Sequence, residues 1–181
     1  FAVEQTLLEL KPRFNIAPSQ PVAAVIQHES RVLQELKWGL VPSWARDPAI
    51  GNRLINARAE TLASKPAFRG AFARGRCLIP ASGYFEWKRG GRTRTPMLVR
   101  RDGGEPFVMA GLWEYWAPAG EEPLETCAII TTEANDTLAP IHHRMPVIVT
   151  PGDHDAWLDP APPSAEALTA LLRPAPDDTL A

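Results

Sequence analysis

The sequence predicts an α+β domain dominated by antiparallel, barrel-like β-sheet with a few short peripheral helices, and three observations carry that expectation. Apolar and β-branched residues come in many short runs separated by turn residues, not in long helical stripes. Nineteen prolines, about twice the usual share, are spread through 181 residues and leave little room for long helices. Six Trp and six Phe within a 45% apolar composition supply one sizeable core, so the proline content does not imply disorder. A single domain over 1–181 is expected, with 159–181 as a peripheral Pro-rich tail carrying one helix.

In chain order, the β-rich runs at 22–27 and 32–38 read as a hairpin around His28-Glu29-Ser30-Arg31. Further strands are expected at 54–58, 77–79, 84–88, 97–100, 107–113, 126–132 and 146–149, with Gly90-Gly91 in a turn between two of them. Helices are expected at 59–64, at 66–73 with Phe68 and Phe72 one turn apart, at 151–158 and at 164–172. The last has Ser164 as N-cap and Ala167, Leu168, Leu171 and Leu172 on one stripe. No internal repeat is visible.

A net charge of −2 conceals segregation. Residues 53–101 hold twelve Lys or Arg against two acids, Glu60 and Glu86, a balance of +10. Residues 102–181 hold fourteen acids against Arg144 and Arg173, a balance of −12. Such a field steers a polyanion onto one face, or else basic and acidic segments neutralise each other across a sheet. Arg outnumbers Lys fifteen to four. That favours the polyanion, because the planar guanidinium makes bidentate phosphate contacts and stacks on bases.

The stretch 1–10 carries Glu4 and Glu9 and lacks an uninterrupted apolar run, so neither a signal peptide nor a membrane span is expected. A cytoplasmic monomer is the expectation. Cys77 and Cys127 sit in strand-like apolar runs and are expected to be buried, reduced thiols, making neither a disulfide framework nor a zinc knuckle. His142-His143 invite a metal, but consecutive residues on a strand point opposite ways, so no metal is expected.

Three segments set proton-transferring or hydrogen-bonding groups beside basic or aromatic ones: Asn56-Ala57-Arg58, Tyr84-Phe85-Glu86-Trp87-Lys88 and His142-His143-Arg144-Met145-Pro146. On extended backbone Asn56 shares a face with Arg58, and His142 with Arg144, each pair about 6.5 Å apart along the strand. A reactive group with an arginine beside it suits a phosphate-bearing substrate. Alternation also sets Gly83, Phe85 and Trp87 on one face and Tyr84, Glu86 and Lys88 on the other. Spacing allows core below and solvated charge above. The sharper reading makes Glu86 a carboxyl among large aromatics, where desolvation suits it to proton transfer.

The remaining candidates each carry two readings. His142 is a general acid/base beside Arg144 or a hydrogen-bonded structural histidine. Thr131, in Thr131-Thr132-Glu133-Ala134-Asn135, offers a hydroxyl and a helix N-terminus to a phosphate, or belongs to a capping box. Asn15, in the loop Arg13-Phe14-Asn15-Ile16-Ala17-Pro18, contacts a nucleic-acid backbone or caps a turn. Trp38 and Trp44, in Trp38-Gly39-Leu40-Val41-Pro42-Ser43-Trp44, are core plus turn, or an indole wedged against a base.

The loop 13–18 and the segment 38–44, together with Asn56-Ala57-Arg58-Ala59-Glu60-Thr61, Gly83-Tyr84-Phe85-Glu86-Trp87-Lys88 and Ile141-His142-His143-Arg144-Met145-Pro146, form five motifs in one order. They closely resemble the SOS response-associated peptidase family over residues 13–158. The resemblance implies a β-rich fold with a positively charged groove for single-stranded DNA, and a site that traps abasic lesions as a stable DNA–protein crosslink. It implies a nucleophilic cysteine exposed at the N-terminus by removal of the initiator Met. The amine of that cysteine forms a Schiff base with the ring-opened sugar, and its thiol closes a thiazolidine.

On the matching positions, Glu86 resembles the catalytic acid, His142 the histidine that assists ring opening, and Asn56 the group orienting the nucleophilic end. Arg58 and Arg144 match phosphate contacts, Trp87 an aromatic lining the DNA groove, and Thr131 a hydroxyl contact. No cofactor is implied, and the expected partner is single-stranded DNA with abasic sites, to which the protein would be bound at the nucleoid. The family's opening Met-Cys-Gly-Arg is absent here, since the sequence begins at Phe1 and has no cysteine before Cys77. Phe1-Ala2-Val3 reads as the end of a helix, so a preceding segment is expected. Neither Cys77 nor Cys127 can stand in, because neither carries a free α-amine. The alternatives are a thiol peptidase that processes itself or another protein, and a single-strand-binding module without chemistry.

Overall fold

Five strands close on themselves in the computed structural model, which describes residues 2–90, 93–162 and 164–181. They are β2 (Pro21–Gln27), β3 (Arg31–Trp38), β5 (Arg76–Ala81), β8 (Phe107–Trp116) and β9 (Leu124–Glu133). Neighbours in the order β3-β2-β5-β8-β9 run antiparallel, and a parallel pairing of Lys37 with Thr126 and Trp38 with Cys127 closes the barrel. The short β1 (Gln5–Thr6) extends β3, while β4 (Asn56–Arg58) and β10 (Arg144–Pro146) extend β9 beyond the closed part. β6 (Tyr84–Gly90) and β7 (Thr93–Val99) form a separate hairpin. The α+β class and the barrel-like sheet are as expected, but the β1, β3–β9 and β4–β9 pairings are parallel.

Two-residue alternation divides the core. Ala24, Ile26, Cys77, Ile79, Met109, Cys127 and Ile129 fill the barrel, while Val25, Leu78, Ala110, Leu112, Ala128 and Ile130 face outward under the helices. The lumen is tight, since a Cβ on Gly111 would sit 2.7 Å from the Cys77 sulfur. Against the outer layer pack α1 (Arg69–Arg74), α2 (His154–Leu158) and α3 (Ala165–Ala170). Each Leu or Ile buried in these layers is worth about 1.5–3 kcal/mol.

Buried Arg76 ties the helices to β5 by donating to the carbonyls of Phe72 and Ala73 at 2.7 Å, of Trp157 at 2.8 Å, and of Asp159. Two of these acceptors lie near the end of α1 and one in α2, where unpaired helix carbonyls need donors. Burial lowers the Arg76 pKa from its ordinary value.

Several boundaries differ from expectation for local reasons. Leu54 closes the 3-10 turn Pro48–Arg53, so the strand expected at 54–58 shrinks to β4. The strand expected at 146–149 starts earlier, and Ile148 retains one bridge to Met109. No helix begins at Thr131; that residue continues β9, and the Asn135 side chain caps a turn through the Leu138 N–H at 3.0 Å. The helix expected at 59–64 is a 3-10 turn, Ala59–Thr61. Ala2 and Val3 are not helical, Ala2 having φ 47°, and Phe1 lies outside the described residues. The turn at Gly90-Gly91 also falls partly outside them, Gly90 ending β6.

The 159–181 tail is core in part. Leu172, Ala175 and Leu180 are buried, and Ala181 exchanges main-chain hydrogen bonds with Arg100. Among the described residues no helix is long and apolar enough to cross a membrane.

Candidate active site

At the end of β9, residues that would face the lumen emerge past the rim. Asn56 pairs with Ile129, which still faces the lumen, and Arg58 pairs with Thr131, so Asn56, Arg58 and Thr131 share one face by register. Arg144 enters from the other edge of β9, opposite Glu133. β4 is placed there by two features. The Trp38 indole N–H donates to the Ile55 carbonyl at 2.8 Å, and Gly39, at φ 134°, meets Gly51 so closely that a Cβ would lie 2.8 Å from the Gly51 oxygen. Trp38 is thus half-buried and structural, one residue from Asn56 through its partner.

The hairpin β6–β7 brings in Glu86 with the opposite sense to an ordinary amphipathic strand. Tyr84 packs edge-on against Phe107, and Val99 is buried in the lumen cluster, so the Tyr84–Glu86 face turns inward. Phe85 and Trp87, the expected core face, are 42% and 50% exposed, opposite Leu98 and Pro96. Glu86 is therefore not sandwiched between those two rings. Its Oε1 accepts the Trp87 N–H at 2.9 Å, and its Oε2 lies 3.6 Å from His142 Nδ1, close contact short of a hydrogen bond.

His142 belongs to the 134–143 loop rather than to a strand. The loop is closed by main-chain bonds from Ala134 to the His143 carbonyl at 3.1 Å and from His142 to the Leu138 carbonyl at 3.0 Å. Buried Asn135 pins it to the tail, its amide donating to the carbonyls of Ala175 and Pro176. The His142 and His143 rings pack together at 4.4 Å, so they do not point opposite ways as a strand would require. His142 Nδ1 accepts the Arg144 main-chain N–H at 3.1 Å, which places the proton of the neutral ring on Nε2. A second proton, on Nδ1, meets the Arg144 carbonyl at 3.2 Å and Glu86 at 3.6 Å. Both charge states have a partner, which suits acid–base exchange.

The Arg144 guanidinium is not free. It grips Glu60 in bidentate fashion at 2.8 and 3.0 Å, and donates to the Thr131 carbonyl at 2.5 Å and hydroxyl at 3.4 Å. The hydrogen bond from Arg144 holds the Glu60 carboxyl below the usual carboxylate range, against the opposing effect of burial. Arg58 is exposed and lines a cleft of about 420 Å³ with Glu133, His143 and Arg144. Sequence reasoning missed Glu60, although Glu60 and Glu86 are the only acids in the basic block, and these two contact Arg144 and His142.

The structure thus gathers Glu86, His142, Arg144, Thr131, Arg58 and Asn56 at one rim. Trp87 stands next to Glu86 on the outer face of the hairpin. Asn15 is exposed in a loop whose Ser19 donates to the Trp38 carbonyl at 2.7 Å, and Trp44 lines a separate cleft. Cys77 and Cys127 lie in the lumen, where burial pushes both thiols up, Cys127 to about 12. Among the described residues, no ion pair joins a cation of 53–101 to an acid of 102–181, and no group of three His, Cys, Asp or Glu is placed to hold a metal.

The sequence is 45% identical over 168 residues to the abasic site processing protein YoaM of Bacillus subtilis, covering 92% of this chain and 74% of that one. It is 43% identical over 178 residues to the abasic site processing protein YoqW of the same organism, covering 96% and 80%. A crystal structure of a protein from Bordetella bronchiseptica matches with a TM-score of 0.84 at 27% identity, over 100% of this chain and 90% of that one. The family model described as SOS response associated peptidase (SRAP) matches residues 1–181, and the chain belongs to that family.

Proposed function

We propose that this protein processes abasic sites in damaged DNA, capturing the lesion in single-stranded DNA as a covalent adduct. The names of its relatives support abasic-site processing. The observation that carries the chemistry is the 3.6 Å approach of Glu86 to His142 at a rim bearing exposed Arg58. An abasic deoxyribose is a hemiacetal in equilibrium with an aldehyde. The imidazolium of His142 donates its Nε2 proton to the ring oxygen while the Glu86 carboxylate takes the C1′ hydroxyl proton, so the aldehyde opens with His142 left neutral and Glu86 left protonated.

The nucleophile is the α-amine of an N-terminal cysteine from a segment preceding Phe1, steered by Asn56. Its lone pair adds to C1′, and Glu86 delivers a proton to the departing hydroxyl, so that one water leaves as the C=N bond forms. The thiol sulfur then adds to that carbon and its proton passes to nitrogen, closing a thiazolidine with no change of oxidation state. Arg58, Thr131 and Trp87 hold the flanking phosphate and bases, with Arg144 behind them.

The peptidase reading finds no support in the thiols of this sequence, both of which are buried. Incubating the natural full-length polypeptide with uracil-glycosylase-treated single strands tests the proposal. A heat-stable adduct on a denaturing gel, absent with intact DNA, is expected. No adduct at equimolar protein rejects the crosslinking chemistry, and salt-sensitive binding without adduct would leave a binding module.

A further inference from the structure

Glu86 and His142 meet across two elements with separate supports. Among the described residues the β6–β7 hairpin pairs with no strand of the barrel, and His142 sits in the 134–143 loop. Residues 175–181 hold both. On the loop side, the Asn135 amide donates to the carbonyls of Ala175 at 3.1 Å and Pro176 at 3.2 Å. Asp177 Oδ1 accepts the Asp136 N–H at 2.9 Å, and the Thr137 hydroxyl donates to the Asp177 carbonyl at 2.8 Å. Inside the loop, the His142 N–H donates to the Leu138 carbonyl at 3.0 Å, which carries that grip to the imidazole. On the hairpin side, the Ala181 N–H donates to the Arg100 carbonyl at 2.8 Å and the Arg100 N–H to the Ala181 carbonyl at 2.9 Å. Arg100 follows Val99, the partner of Tyr84, and Tyr84 stands two residues before Glu86.

The sequence suits this segment to bridging. Pro174 and Pro176 bias Arg173 and Ala175 to extended backbone, which keeps the Ala175 and Pro176 carbonyls out of a helix and open to Asn135. The Thr179 N–H closes a turn on the Pro176 carbonyl at 3.0 Å, between the part that grips the loop and the part that grips the hairpin. Ala175 and Leu180 are buried in one cluster with Leu138 of the loop and Val99 of the hairpin. Asp177 itself is exposed, so its carboxylate serves there as a hydrogen-bond acceptor and not as core.

We propose that residues 175–181 are a strap that positions His142 against Glu86, with Asp177 and Leu180 as positioning residues for the proton-transfer pair. The strap rests on the abasic-site chemistry proposed above and adds what holds the two groups of that chemistry together. Asp177→Ala removes the acceptor of the Asp136 N–H, whereas Asp177→Asn keeps a side-chain oxygen in its place. In the natural full-length polypeptide, Asp177→Ala and Leu180→Ala are each expected to slow adduct formation at saturating DNA about tenfold, with the half-saturating DNA concentration unchanged. Asp177→Asn is expected to restore the rate to within about twofold of wild type. A second readout needs no DNA. With histidine nitrogens labelled, Glu86→Gln should move the His142 ring signals in the wild-type background, and about half as far or less with Asp177→Ala.

Leu180 is core and Asp177 is not, so the Asp177 variants carry the test if Leu180→Ala melts early. Asp177→Ala at the wild-type rate with undiminished spectral coupling would overturn the strap, as would a loss confined to half-saturation or one that Asp177→Asn fails to restore. A wild-type chain that forms no adduct would remove the proposed function, and the spectral coupling would then decide the strap by itself.

Discussion

Glu60 connects the two arms of the site through one neighbour. It holds both terminal nitrogens of Arg144, and the Arg144 main-chain N–H holds His142 Nδ1, so a change at Glu60 reaches the imidazole without touching it. Glu60→Gln is expected to slow adduct formation about 10- to 100-fold, the scale of a small misplacement, and to lower the melting midpoint slightly at neutral pH. Because the folded-state pKa of Glu60 is lowered from 4.5, its contribution to stability is present above that value and is lost as pH falls through the depressed one. Melting curves over that acid window should show an increment in the wild type that Glu60→Gln lacks. Arg76→Met leaves four carbonyls without their donor and should cost about 3 kcal/mol by chemical denaturation. In the native protein Cys77 and Cys127 should resist alkylation at neutral pH and react only on unfolding; rapid native labelling would contradict their place in the lumen.

At the scale of elements, two pieces bring Glu86 and His142 together, and they differ in how visible they were. The hairpin was legible as strands, and alternation separated Glu86 from Phe85 and Trp87. Period two states which residues share a face but not which face turns inward, and burial of Val99 and Tyr84 against the lumen cluster decides that here. The 134–143 loop was not legible. Its anchor is Asn135, whose partners Ala175 and Pro176 lie forty residues on, beyond any local pattern. Asn135→Ala is expected to cost about 1–3 kcal/mol and to speed amide hydrogen exchange in 134–143 more than in β9. Uniform exchange across both would argue that the loop is held some other way.

For the whole molecule, the class and most strands could be read from short apolar runs and dispersed prolines, whereas closure could not. The β3–β9 contact joins Lys37 and Trp38 to residues some ninety positions later, and a parallel pair leaves no turn signature in the sequence. Closure makes the lumen narrow, so Gly111→Ala should cost about 1–3 kcal/mol through overpacking against Cys77 and Ile79. The charge segregation survives folding in the sense that, among the described residues, no cation of the basic block pairs with an acid of the acidic block, leaving Arg58 for a polyanion. The hairpin and the loop bring Glu86 within 3.6 Å of His142, and the proposed function makes the two one proton-transfer unit. A double-mutant cycle on adduct formation, with Glu86→Gln, His142→Ala and the pair together in the natural full-length protein, measures that unity. Each single change should slow the reaction by about 10²- to 10⁴-fold and the pair little more than the worse single. Single variants at the wild-type rate, or effects that multiply, would contradict it.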